Sequence, residues 1–352
     1  MLRKKCLMIT LVAILTAAAS GAFGFQDVLE TPALKSLIAE KTLLNGITNT
    51  GKRLVAVGWR GHILYSDDQG KSWLQAIVPV SSDLVDVCFP SPQKGWAVGH
   101  DGIVLHSTDG GATWVKQLDG LAAAKIMLNF YTAHPAKDSA ANQRLLDNVK
   151  QFVQEGADKP FLSVWFDDEN NGFIVGTFNL IFRTSDGGKK WEPLFDRTEN
   201  PKLLHLNAVR RIGPDLFISG EQGLVMKYDQ KTEMFRALKP LYKGSFFGIA
   251  GKPGSVVVFG LRGNAFTTHD GGVTWKKADT KVQISLTGGT STEDGRIVLT
   301  SQGGHVLVSH NDGLSFNPIK IDRPTPASAV TAIDKNTILL AGIHGLKLQP
   351  LK

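Results

Sequence analysis

Thiols and tyrosines are scarce: the 352 residues hold only Cys6 and Cys88 and four tyrosines. A disulfide framework or a thiolate metal centre needs more cysteine than this, and neither Cys-x-x-Cys nor His-x-x-x-His occurs. Phosphate loops and nucleophile elbows are absent as well. Past the first two dozen residues no apolar run is long enough to span a bilayer. Charged residues make up 20% of the chain with a net of +7, a mild excess that does not by itself call for nucleic acid. The sequence therefore predicts no cofactor, no metal and no nucleic-acid partner. With 42% hydrophobic residues it is globular in composition. Glycine is plentiful, 37 residues, and its pairing with regularly placed aromatics predicts many short strands and tight turns.

The first residues read as a targeting segment. Arg3, Lys4 and Lys5 precede an apolar run, Cys6 to Ala19. Ala22-Phe23-Gly24 fits a cleavage site before Phe25, and Ala17-Ala18-Ala19 offers a second. The expected division is a signal peptide over 1–24 and an exported chain over 25–352. An uncleaved N-terminal anchor is the alternative, although the run is short for a spanning helix. Cys6 lacks the small-residue context of a lipidation site. Cleavage removes three basic residues and no acid, so the charge falls from +7 to +4. It also leaves Cys88 alone, in the strand pattern Val85 to Phe89, as a small buried hydrophobe.

Self-similarity is the main feature of the rest. Ser/Thr-x-Asp-x-Gly-x-Ser/Thr-Trp, the Asp-box, occurs at Ser66–Trp73, Ser107–Trp114 and Thr268–Trp275, and with Lys190 in the seventh place at Thr184–Trp191. A weaker copy ends at Phe316 and a degenerate one at Phe235. The aromatic ends recur every 40 to 44 residues, save one gap of 77. Forty residues is one four-stranded propeller blade. Asp68, Asp109, Asp186 and Asp270 are expected to accept backbone N–H bonds within hairpin loops, with glycine supplying positive φ. They are read as turn staples, not catalytic acids. Trp73, Trp114, Trp191 and Trp275 are expected to pack between blades.

A second motif, Val-Gly-x-x-Gly, precedes each box. Its copies start at Val57, Val98, Val175, Ser219, Phe259, Thr300 and Ala341. Seven copies predict an all-β, seven-bladed propeller. The last copy is followed by no box and no outer strand. Since an open edge invites pairing, the segment 25–42 is expected to supply the missing outer strand. Residues 119–160 interrupt blades 2 and 3 and read as helical. Ala122–Tyr131 forms one helix and Pro135 breaks it. Asp138 or Ser139 caps a second, with Leu145, Leu146, Val149, Phe152 and Val153 on one face. The insertion is either a hairpin packed on the ring or a lid.

In a four-stranded meander the Val-Gly-x-x-Gly turns and the insertion share one face, opposite the Asp-boxes. That face is predicted to ring the central channel with Trp59, Arg60, His100, Asp101, Phe178, Glu221, Arg262, Gln302 and His344. These are the candidate partner-binding residues. Arg60 and Arg262 occupy equivalent positions suited to bidentate capture of a carboxylate. Asp-box propellers include sialidases, which need an arginine cluster, a Tyr–Glu pair and an acid–base Asp. The Arg-Ile-Pro signature is absent. Tyr65 and Tyr228 fall beside the boxes, on the other face, and Tyr242 lacks a Glu partner. No catalytic residue is assigned.

The whole segment Lys94–Trp114 resembles the photosystem II stability/assembly factor family, and the likeness runs from Leu43 to Leu348. It implies a seven-bladed, non-enzymatic propeller exported to the periplasm, or to the thylakoid lumen in a phototroph. Family members in phototrophs bind photosystem subunits during assembly through an arginine-rich surface. Two departures stand out here. The turn-face arginines reduce to Arg60 and Arg262, with Arg210 and Arg211 on another element, and the helical insertion is added. The expectation is a scaffold for a membrane or envelope protein complex. The alternative is a sialidase-like or lectin-like propeller holding sugars on Trp59 and Phe178.

Overall fold

The computed structural model describes residues 26–351. The expected signal peptide and its cleavage site lie outside the described residues. Seven antiparallel sheets follow one another, spanning 44–75, 84–118, 161–193, 206–237, 246–277, 286–318 and 327–350. Six have four strands, here A to D in chain order, and the seventh has three. The A strands pack side by side around a central channel, and Leu44–Asn49 of blade 1 meets Ala327–Ala332 of blade 7 to close the ring. Strand B is buried throughout in blades 1, 2 and 3. Both of its faces lie against neighbouring blades, so it reads as a continuous apolar run rather than an alternating one.

The Asp-boxes are C–D hairpins stapled by their own side chains. In blade 2 the Asp109 carboxylate accepts from Ala112 N (3.1 Å), Thr113 N (3.0 Å), Thr113 Oγ1 (2.7 Å) and Ser107 Oγ (2.8 Å). The box ends in an aromatic that reaches the preceding blade. Trp114 is buried in one core with Val55, Ala76 and Val78 of blade 1, meets Phe89 of its own blade edge-on at 5.8 Å, and its indole N–H donates to Gly111 O at 2.9 Å. The boxes also hold neighbouring blades together: Ile77, beyond strand D of blade 1, bridges in parallel to Thr113 in the box of blade 2.

The insertion folds as two helices, α1 (Gly120–Ala133) and α2 (Ser139–Glu155). Asp119 and Asp138 cap them by accepting from Ala122 N and Ala141 N, both at 2.9 Å. Ala123, Met127, Tyr131, Leu145, Val149 and Phe152 share one core with Trp96, Phe161 and Phe182 of blades 2 and 3. A hairpin fused to the core in this way is a wedge between blades rather than a lid. Val153, expected on the packed face, is exposed: it lies one residue beyond Phe152 and so about 100° further round the helix.

The expected outer strand of blade 7 is not formed. The chain from Asp27 to Ser36 instead lies across the loop that leaves blade 1, with Ala33 N donating to Val78 O (3.1 Å) and Ser81 N to Val28 O (2.8 Å). The physical reason is a missing aromatic. Blades 1, 5 and 6 place an aromatic (Trp73, Trp275, Phe316) eleven residues before the next A strand, and counting back from Leu44 puts Ala33 at that place. Alanine cannot wedge a strand between blades. Leu351 fills the corresponding space between blades 6 and 7, buried with Val306, Val308 and Ile338.

Candidate functional site

Five of the seven Val-Gly-x-x-Gly turns share one conformation. A single short turn links strands B and C, and its second variable residue is held at positive φ: Arg60 (53°), Asp101 (58°), Phe178 (51°), Gln222 (51°) and Arg262 (57°). Left-handed backbone is costly for side chains of this size, about 1–3 kcal/mol each, and persists only where surroundings enforce it. The enforcing contact comes from the next blade. The glycine closing each turn presses on the chain entering that blade. A Cβ on Gly223 would stand 1.8 Å from Tyr242 O and one on Gly263 2.0 Å from Val282 O. Blade 3 has Asn179 in this place, also at positive φ, and its buried amide donates to Phe195 O at 2.9 Å. The turns therefore lie on the face of the loops between blades, opposite the Asp-boxes, which contact the A–B loops through bonds such as Gly110 N to Gln93 O.

The turns are locked, and the outward residue is arginine in two of them and of another kind in the other three. Asp83 of blade 2 accepts from Arg60 N at 2.7 Å, and the Arg60 guanidinium stacks over the half-exposed Trp59 ring at 4.9 Å. Phe178 N donates to His205 Nδ1 at 2.9 Å, which fixes the tautomer with its proton on Nε2 in that arrangement. The Phe178 ring, 44% exposed, meets His205 edge-on at 4.7 Å. Glu221 accepts from His205 N at 2.9 Å. The Lys159 ammonium lies 5.6 Å from the Phe178 ring centre and is itself held by Glu155 and Asp158.

The nine predicted residues thus share one face, but they form separate stations rather than one cluster. His100 alone among them lines the channel mouth. Arg262 borders a different depression, with Lys277 and Lys281. Gln302 is exposed in a turn that relies on Gly304 for positive φ. His344 sits in a turn one residue shorter, with Gly342 pairing Gly345. Gln222 occupies the same protruding position as Arg60 and Arg262, and sequence reasoning passed over it. The signal that could have found it was position within the motif: the second variable residue protrudes.

The channel cavity, about 490 Å³, is lined by A-strand residues including Asn45, Asp86, Ser163, Asn207, Arg210 and Phe247. Its one charged network was not foreseen. Asp86 Oδ2 accepts from Arg210 Nη2 (3.0 Å), Ser163 Oγ (2.8 Å) and Val164 N (3.0 Å). Arg210 Nη1 also donates to Ser163 Oγ and Val209 O, each at 2.8 Å. Arg210 is thereby committed to joining blades 2, 3 and 4. Arg211 is paired with Asp167 at 2.5 Å. Tyr131, the most buried tyrosine, donates to Asp196 at 3.0 Å, and its burial pushes the phenol pKa well up, which does not suit a nucleophile. Among the described residues no group of three or more His, Cys, Asp or Glu could hold a metal ion. No helix among them is long and apolar enough to cross a membrane.

Comparison with known proteins places this geometry in a family. The family model for the photosynthesis system II assembly factor YCF48 matches residues 65–132 and 143–316, more than half of the chain. A curated relative, the photosystem II assembly lipoprotein Ycf48 of Synechococcus sp. (strain CC9902), is 24% identical over 156 residues. That match covers 43% of this chain and 46% of the relative, so it spans under half of that protein. Among solved structures, one described as YCF48 bound to D1 peptide superimposes with a TM-score of 0.63 at 14% identity, covering 92% of this chain and 99% of the other. YCF48 from Cyanidioschyzon merolae gives 0.64 at 14%, covering 91% and 98%. The WD40 β-propeller domain of Doa1 gives 0.61 at 9%, covering 92% and 97%, so likeness at this level speaks for the fold alone. The family match carries the assignment: the chain belongs to the photosynthesis system II assembly factor YCF48 family.

Proposed function

We propose that this propeller is a non-catalytic assembly factor that binds an extended or terminal protein segment of a membrane or envelope complex on its turn face. The observation that carries the reading is the row of five equivalent turns, which hold two arginines, an aspartate, a phenylalanine and a glutamine at positive φ. Ligand-binding sites are where such backbone strain collects, and the varied chemistry of Arg60, Asp101, Phe178, Gln222 and Arg262 suits a sequence-bearing partner. Trp59, His100, Glu221, Gln302 and His344 complete the proposed surface. A relative described as bound to D1 peptide supports a protein segment as ligand. We place the protein in an extracytoplasmic space, periplasm or thylakoid lumen, on the strength of the N-terminal sequence.

Because Arg60 and Arg262 touch little of the core, Arg60→Ala with Arg262→Ala should leave stability within about 0.5 kcal/mol of wild type. Partner capture should fall. The measurement is crosslinking of tagged protein in intact envelopes, read by mass spectrometry, wild type against the double variant. Enrichment of one complex by wild type and its loss in the variant supports the reading. Equal capture by both moves the site off these turns. Binding or cleavage of glycans by the purified protein, with no complex enriched, overturns the reading in favour of a carbohydrate-active propeller.

A further inference from the structure

The segment that fails to become an outer strand has an exposed apolar edge. Leu34 is 76% exposed, Ile38 59%, and Leu37 is wholly exposed. This is not a loose end turned outward by chance. The backbone is pinned to the ring on its inner side: Gln75 Nε2 donates to Leu34 O (2.8 Å), Ser36 N to Gln75 Oε1 (2.9 Å), and Ala33 N to Val78 O (3.1 Å). Beyond it, Ala39 is buried among Leu44, Leu64 and Ala341. With both flanks fastened and the polar backbone facing the protein, the three large side chains point away from it. Contiguous exposed apolar side chains of this kind mark an interaction surface.

The surroundings select the class of partner. Lys35 and Lys41 are exposed on the same segment, offset by Glu40. Trp59, half-exposed beneath the Arg60 guanidinium, lies on the neighbouring turn, where Trp59 N donates to Leu43 O at 3.0 Å. Leucine and isoleucine fringed by lysine, with a tryptophan beside them, is the side-chain set that settles into a headgroup layer. We propose that Leu34, Leu37 and Ile38 form a membrane-contact strip that inserts into the headgroup region of an anionic bilayer. The strip orients the turn face toward that surface. This stands apart from the identity of the protein partner.

The test is site-specific depth measurement on the exported chain, residues 25–352, which holds the whole described propeller. Leu37→Cys is labelled with a nitroxide; Val273→Cys, exposed in the Asp-box of blade 5, serves as the control on the opposite face. Native Cys88 is buried with its thiol pushed up to about 11, so it competes poorly for label. On phosphatidylglycerol–phosphatidylcholine vesicles the label at residue 37 should lose accessibility to an aqueous nickel chelate and gain accessibility to oxygen, while that at 273 keeps its solution values. Lys35→Glu with Lys41→Glu should weaken the change at residue 37 and leave the melting curve as it was. A label at residue 37 that stays in water on vesicle-bound protein overturns the proposal. So does failure of the exported chain to bind the vesicles, or a change at residue 37 that appears only when membrane proteins are added.

Discussion

Blades 2 and 7 solve the same problem with different parts. Blade 2 has four strands, an Asp-box and the buried Trp114. Blade 7 has three strands, no box, and Leu351 in the seam, its backbone N–H donating to Asn336 O at 2.8 Å. Both blades are closed to water between their sheets. What a blade requires is therefore an apolar wedge against its predecessor. The box is a device for delivering that wedge at a fixed place, and the fourth strand comes with it.

The comparison can be broken most directly at the wedges. Trp114→Ala should cost about 3–5 kcal/mol and Leu351→Ala about 2 kcal/mol, by the scale of core truncations. Urea unfolding measures both, and a larger loss at Leu351 would mean that blade 7 is the keystone and the boxes are accessory. Next is the channel pair. Arg210→Ala leaves Asp86 partly buried without its guanidinium and should cost about 2 kcal/mol. Removing Asp86 as well should cost less than the two single changes added together.

A finer contrast lies between the boxes of blades 5 and 6, where Asp270 and Asn311 hold equivalent places. The Thr274 hydroxyl, then the Thr274 N–H and the Thr268 hydroxyl, hold the Asp270 carboxyl well below its ordinary range. A carboxyl depressed by folding contributes stability above its unfolded pKa, and that contribution is lost as pH falls through the folded value. Asp270→Asn should flatten the acid limb of the stability profile and Asn311→Asp should steepen it, as thermal melts across the acid range would show.

The smallest expected effect concerns the N-terminal strap. Burial lowers the pKa of His62 from 6.5, with the Leu34 carbonyl opposing and Arg60 assisting. The neutral ring is thus favoured in the fold, and this contribution is intact above pH 6.5 and declines as pH falls below it. Hydrogen exchange at Ala33 and Ser36, corrected for intrinsic rates, should quicken on acidification in wild type and not in His62→Gln.

Much of this was legible because repetition amplifies weak local signals. A lone Asp-box is a turn; boxes at intervals of about forty residues, with seven Val-Gly-x-x-Gly turns, specify a ring of seven blades. The helical insertion showed in its spacing, although Val153 did not, because a neighbour in sequence need not share a helix face. The Asp86–Arg210 pair was hidden because its members lie 124 residues apart and meet only when three blades are in place. The strap was misread because a vacant strand position and a chain segment of suitable length are not sufficient when Ala33 stands where other blades carry a large apolar wedge. The turns were legible, but which residue of each pair protrudes depends on a backbone angle that no composition records, and Gln222 was passed over for that reason.

Gly345 presses against Glu40 O, and Asn49 donates to Ala332 O across 283 residues of sequence. The last blade thus docks on chain made long before it. Until residues 327–350 emerge, blade 1 has an exposed apolar flank around Leu44 and Ala56 with nothing to cover it. Closing so long a loop is entropically costly and slow. A chain that folds in order stays a partly open arc until its last blade docks, and it acquires its final stability in that one late step. The moment of greatest vulnerability to proteolysis and aggregation is therefore set by the position of the seam.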